Sequence, residues 1–190
     1  MTSTFVLNVV IASTRPGRVG LPVGTWFSQY AQNHGKFSVK VTDLAELNLP
    51  FFDEPNHPMA QKYTKEHTKT WAKIVSESDA FVFVIPEYNF SAPATLVNAL
   101  DYLYLEWNYK PAGFVSYGGM SGGIRAVQDL KTMLTTFKMV PLVEAVALPM
   151  VFPQVKDGVF TPADAAVGLA ADKMLDELVK WTTALKTIRS

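Results

Sequence analysis

The chain of 190 residues contains no cysteine, which removes disulfides, thiolate zinc sites, cysteine nucleophiles and the phosphatase chemistry built on them. Its three histidines, His34, His57 and His67, lack tight ligand spacing, so no metal centre is expected. No apolar run approaches the roughly 20 residues that cross a bilayer, and the N-terminus lacks the basic-then-apolar pattern of a secretory signal. The expectation is a soluble, cytoplasmic chain with no membrane partner. A charge excess of one sign is also missing: seventeen basic side chains balance seventeen acidic ones, leaving no overall field for nucleic acid. The expected partner is a small molecule. Neither Gly-x-Gly-x-x-Gly nor Gly-x-x-x-x-Gly-Lys-Ser/Thr occurs, which argues against a dinucleotide fold and a P-loop.

What the chain does contain is alternation. Short β-branched or aromatic runs at Phe5–Ile11, 37–41, 80–85, 113–117 and 140–147 are separated by segments with helical spacing at 22–33, 59–76, 93–107, 122–137 and 162–188. Five strand-helix units imply an α/β fold in one domain spanning 1–190. Most of the strand runs are near-continuously apolar, as burial on both faces requires, so the expected architecture is a doubly wound five-stranded parallel sheet in order 2-1-3-4-5. Pro22, Pro93 and Pro162 fall in or near first helical turns, Thr161 is placed to cap the last helix, and Gly35 to stop the first. Residues 47–58, with three prolines, read as a loop, and so do residues 149–162, where Asp157-Gly158 signals a hairpin.

In such a sheet a ligand sits beyond the carboxyl ends of the strands, where the segments after strands 1, 3 and 4 converge. After the first strand, Ser13 and Thr14 offer hydroxyls, Arg15 and Arg18 can pair with a dianion, and Gly17 and Gly20 let the backbone bend around it, with Val19 in the same binding segment. Charge-assisted bonds of this kind are worth roughly 1.5–3 kcal/mol each. The alternative is an ordinary turn with two solvated arginines. After the third strand, Pro86-Glu87-Tyr88-Asn89-Phe90 mixes aromatic and polar groups. Tyr88 and Phe90 there either bracket a ring or pack as core or subunit-contact aromatics, while Glu87 and Asn89 sit where they could bond the edge of a heterocycle. After the fourth strand, four glycines in six residues at 118–123 remove side chains and leave backbone donors, unless the segment is simply a flexible turn. Together the three segments point to a flat, phosphorylated ligand.

At these residues the sequence resembles the flavodoxin-like NADPH-dependent FMN reductases, which include quinone, chromate and azo-compound reductases. In that family the first loop commonly reads Gly-Ser-x-Arg-x-x-Ser-x-Asn and binds FMN phosphate. Ser13 and Arg15 match it, whereas Ala12, Arg18 and Gly20 replace the glycine, the second serine and the asparagine. Pro86-Glu87-Tyr88-Asn89 matches the family's flavin-flanking loop, and Ser116-Tyr117-Gly118-Gly119 with Ser121 and Gly122-Gly123 resembles its second ring-contacting segment. The resemblance implies FMN as cofactor, with NADPH or NADH as co-substrate, and a flat electron acceptor. It implies a ping-pong reaction on flavin N5 with no catalytic side chain. A flavodoxin-type electron carrier shares the fold and cofactor, but a strongly acidic docking face is typical of that class and this chain is neutral. A cofactor-free binding module is the third reading.

The segment 93–107 adds one more expectation. Leu96, Val97, Leu100, Leu103 and Tyr104 form an apolar stripe, which Tyr102, Leu105 and Trp107 widen beyond one sheet contact. The surplus signals either deep burial or a homodimer packed through this helix, and the resemblance favours a homodimer or homotetramer.

Overall fold

The computed structural model describes residues 5–189. Strand β1 (Phe5–Ile11) lies between β2 (Phe37–Asp43) and β3 (Ala80–Pro86), and β4 (Pro111–Tyr117) follows β3. Every pairing in this sheet is parallel, in the order β2-β1-β3-β4-β5, with β5 (Val140–Pro141) and β6 (Val146–Leu148) both alongside β4. All seven residues of β3 and all seven of β4 are buried, which explains why β3 is apolar throughout and β4 nearly so, instead of alternating.

Strand periodicity divides those side chains between two cores. Leu7, Val9, Val82, Val84 and Val115 pack under α1 (Gly20–His34) and α6 (Ala166–Lys186). Val10, Phe81, Phe83, Ile85 and Phe114 pack under α3 (Glu66–Ser76), α4 (Ala94–Asp101) and α5 (Ile124–Thr136). Gly35 ends α1 in the left-handed conformation at φ 77°, as its position suggested. No helix among the described residues is long and apolar enough to cross a membrane.

Four local expectations are corrected. The fifth strand is two pieces: Pro141 has no N–H to give the ladder, and after Leu142 bonds Ala112 O at 2.9 Å the chain swings out through exposed Val143 before returning at Val146. The helix expected from residue 59 starts at Glu66, because Pro58–Ala60 form a separate 3-10 turn closed by Gln61 at φ 50°. The helix expected through residue 107 stops at Asp101; beyond it a 3-10 turn, Leu105–Trp107, delivers the Trp107 ring to Trp71 (5.6 Å) and Phe81 (5.0 Å). Leu96, Leu100, Tyr102, Leu103 and Trp107 are therefore core residues, so deep burial accounts for most of the apolar surplus of that segment, whereas Leu105 is exposed. Thr161 does not cap α6, which begins at Ala166 with the Asp164 carboxylate accepting the Ala166 N–H at 2.8 Å.

One short helix was not anticipated: α2 (Leu44–Leu47), capped by Asp43, whose Oδ1 accepts the Ala45 N–H at 3.0 Å. The expected hairpin is present as β7 (Val155–Lys156) and β8 (Val159–Phe160). Asp157 and Gly158 are both left-handed between the strands, and Phe160 sets its edge on Trp26 of α1 at 5.3 Å.

Candidate active site

After β1 the chain leaves to one face of the sheet as α1, and after β3 it leaves to the other as α4, so the carboxyl ends of these strands bound a crevice. A cleft of about 190 Å³ lies there, lined by Arg15, Arg18 and Val19, by Pro86, Glu87 and Tyr88, and by Tyr117, Gly118 and Gly119. One wall comes from elsewhere: Phe152, which opens a 3-10 turn (Phe152–Gln154) just before the hairpin. Of the other residues singled out in the sequence, Ser13, Gly20 and Ser116 lie buried, while Asn89 and Ser121 stand in the second and third loops.

The floor of the first loop is polar and unsatisfied. Ser13 is fully buried, and among the described residues neither its hydroxyl nor the neighbouring Tyr117 hydroxyl makes a well-formed hydrogen bond. A side chain at position 20 would collide with both, which is why the first residue of α1 is glycine. Burial, opposed by neighbouring Ser13, Arg18 and Arg15, pushes the Tyr117 phenol far above its ordinary range and keeps it protonated. The backbone N–H groups of Gly20 and Leu21, in the first turn of α1, donate to nothing among the described residues. Buried polar atoms are normally paired, so orphaned hydroxyls beside orphaned amides at a helix N-terminus fit an anionic group such as the phosphate ester of FMN.

The two arginines have different duties. Arg18 was expected to supply charge to the phosphate, but its Nη1 donates to Ser13 O at 2.6 Å and to Asp43 Oδ1 at 2.7 Å, while Nη2 donates to Asp43 Oδ2 at 2.5 Å. This two-pronged pair raises the Arg18 pKa, chiefly through the hydrogen bonds to Asp43, and it commits the cation to the end of β2. Arg15 is exposed and, among the described residues, its side chain donates only to Pro16 O, at 3.5 Å. It is the arginine of this loop with charge to spare.

In the second loop Tyr88 and Ser91 exchange two backbone hydrogen bonds of 3.0 Å, which places Asn89 and Phe90 at the tip with φ of 50° and 70°. Left-handed backbone is common for asparagine and rare for phenylalanine, so the loop holds Phe90 against its preference. The Phe90 ring, 64% exposed, covers the Arg125 guanidinium at 3.8 Å. Glu87 was expected at a ligand's edge; its carboxylate instead turns to Arg125 and Ser121. It accepts from Arg125 Nε at 2.7 Å and from Ser121 Oγ at 2.9 Å, and pairs also with Arg125 Nη2. Arg125 holds the Glu87 carboxyl below the usual range.

The third loop is fixed from outside. Gly118 and Gly119 carbonyls accept from Val151 N (3.2 Å) and Met150 N (2.9 Å), which docks residues 148–151 on the loop and brings Phe152 to the cleft. Ser116, expected to contact the ligand, donates to Gly122 O at 2.8 Å and braces the loop from within. A Cβ at Gly119 would meet nothing within 4 Å, and the Gly119 and Met120 amides have no partner among the described residues. Open space beside free donors suits the edge of a flat ring. Sequence reasoning missed Asp43, Arg125 and Phe152 as parts of this site. Asp43 lies two residues beyond the strand expected at 37–41, Arg125 stands near the start of the helix that follows the glycine-rich loop, and nothing in the sequence marks Phe152.

Fold and cleft together define a flavodoxin-like α/β protein with an open cleft at the carboxyl ends of its central strands. The family model for NADPH-dependent FMN reductase matches residues 7–152, and the chain belongs to that family of FMN-dependent, NAD(P)H-using oxidoreductases. An NAD(P)H-dependent FMN reductase of Schizosaccharomyces pombe is 40% identical over 159 residues, covering 82% of this chain and 78% of the relative. A quinone reductase of Pseudomonas putida is 29% identical over 145 residues, covering 73% and 74%. Among solved structures, the FerB flavoenzyme NAD(P)H:(acceptor) oxidoreductase of Paracoccus denitrificans shares the fold with a TM-score of 0.73 at 21% identity, covering 95% of this chain and 98% of that one.

Proposed function

We propose that this chain takes hydride from NADPH or NADH onto bound FMN and passes the reducing equivalents to a quinone, a free flavin or a similarly flat acceptor, in a ping-pong cycle. When bound, the flavin supplies the hydride chemistry at N5. The chain's own residues bind and orient. Ser13, Arg15 and the amides of α1 hold the phosphate, the space beside Gly119 receives the ring, and free loop amides face the negative charge that reduction brings. Tyr88 and Phe152 line the cleft that would receive the ring, and donor and acceptor would use one exposed ring face in turn. The observation that carries the reading is the pairing, in one cleft, of an orphaned anion floor with an open, donor-lined slot.

Titration of the purified protein with FMN, followed by steady-state oxidation of NADPH and NADH with a quinone, tests it. Expected are tight flavin uptake and parallel double-reciprocal lines. Intersecting lines would refute the ping-pong order, and bound flavin without turnover would support an electron carrier. We also propose a cytoplasmic homodimer or homotetramer. Support comes from Phe51 at 87% exposure, with exposed Phe52 and Met59 nearby in sequence, apolar side chains outside the core that a second copy would cover. Sedimentation at micromolar concentration measures the mass.

A further inference from the structure

We propose that Arg125 is a positioning residue that sets the charge felt by the cofactor ring, by neutralising Glu87 in the wall of the cleft. The inference rests on the FMN reading above. Glu87 lines the cleft, its side chain is only 7% exposed, and a carboxylate shielded from water acts at longer range than one in solvent. Such a group standing alone would repel a ring that gains negative charge on reduction. Arg125 cancels it through Nε at 2.7 Å, through Nη2, and through its own backbone N–H at 3.2 Å.

The pair is fixed on both sides. Ser121 donates to Glu87 at 2.9 Å and accepts from Arg125 Nη2 at 3.2 Å, so the third loop is tied into the same knot. Phe90, held in left-handed backbone at the tip of the second loop, lays its ring on the guanidinium at 3.8 Å. A cation packed against an aromatic face keeps its place even though half of the Arg125 side chain is exposed. The wall therefore carries two opposite charges whose sum is zero, and each can be removed by a substitution of similar shape.

That arrangement makes a prediction of opposite signs. In Arg125→Met the carboxylate is left uncompensated, so reduced FMN should bind more weakly relative to oxidised FMN. The ratio of Kd for reduced to Kd for oxidised flavin should rise about 10-fold or more, equivalent to a fall of about 30 mV in a two-electron midpoint potential. In Glu87→Gln the arginine is left in excess, and the same ratio should fall. The double variant should return towards wild type. Anaerobic titrations with oxidised and dithionite-reduced FMN give the ratio, and dye equilibration of the bound flavin gives the potential. If both single variants weaken the two forms equally, or move the ratio in the same direction, the pair is only a brace between loops and the proposal fails. Should Arg125→Met not fold, Glu87→Gln decides the sign alone. Wild-type protein that binds no FMN would overturn the FMN reading itself, a result separate from an unchanged ratio.

Discussion

A methyl group added at Gly20 and one added at Gly119 would meet opposite surroundings. At Gly20 it strikes the buried hydroxyls of Ser13 and Tyr117, whereas at Gly119 it enters open space. Gly20→Ala should cost about 1–3 kcal/mol of stability by overpacking and should also impair FMN binding. Gly119→Val should melt within a degree or two of wild type yet lose FMN affinity at least tenfold, as read by parallel thermal melts and flavin fluorescence titration. Normal flavin binding in that variant would place the ring elsewhere. The two arginines divide in the same way. Arg15→Ala should leave stability within about 0.5 kcal/mol, as for an exposed side chain, and weaken FMN about 10- to 100-fold. Arg18→Ala strands the Asp43 carboxylate, whose side chain is 6% exposed, and should cost about 3–5 kcal/mol in urea unfolding. The residue types in the first loop were legible as an anion site. Which arginine is free was not, because the partner that captures Arg18 lies 25 positions away at the end of another strand.

Among the elements, α3 shows how a loop can supply what a helix lacks. Its N-cap, Lys65, offers no side-chain acceptor, and Glu54 takes over from the preceding loop, accepting the Thr64 and Lys65 N–H groups at 2.8 Å and the Thr64 hydroxyl at 2.9 Å. Burial pushes the Glu54 carboxyl up, but these donors outweigh it and hold it at about 2. A carboxyl depressed in the folded state stabilises fully above its unfolded pKa and loses that contribution as pH falls towards the folded value. Wild type should therefore exceed Glu54→Gln in stability at neutral pH, and the gap should close between about pH 4.5 and pH 2 in denaturant melts. A gap independent of pH would refute the role. This cap explains why the start of α3 was misplaced in the sequence: apolar spacing extends back to residue 59, and the acceptor that sets the boundary is remote. The break after Asp101 was hidden for a related reason. Tyr102 is helix-compatible in isolation, but its hydroxyl reaches back to Asp53 at 3.0 Å and the chain turns to bury Trp107. The strands were easier to read, since β3 is apolar at every position and β4 at nearly every one, and only Pro141 spoiled the fifth.

For the whole molecule, the site and the scaffold are joined through ligand linkage. FMN at about 100 times its Kd should add about 2.7 kcal/mol to the folded state, a rise in Tm of roughly 5–11 °C for a domain of this size. Riboflavin, which lacks the phosphate, should give a smaller shift, and an equal shift would remove the anion floor from the argument. The parallel sheet and the convergence of three loops followed from strand order alone. Phe152 did not, because the segment that carries it is placed by backbone hydrogen bonds to Gly118 and Gly119 that no side chain announces.

The hydroxyls of Ser13 and Tyr117 have a consequence outside the test tube. Both are buried without a well-formed hydrogen bond among the described residues, which costs up to about 1–3 kcal/mol apiece, and an anionic guest at the helix tip would relieve part of that burden. Copies lacking the guest would open more often, and proteases cut chains while they are open. In a living cell the supply of vitamin B2 would then govern how long each copy survives.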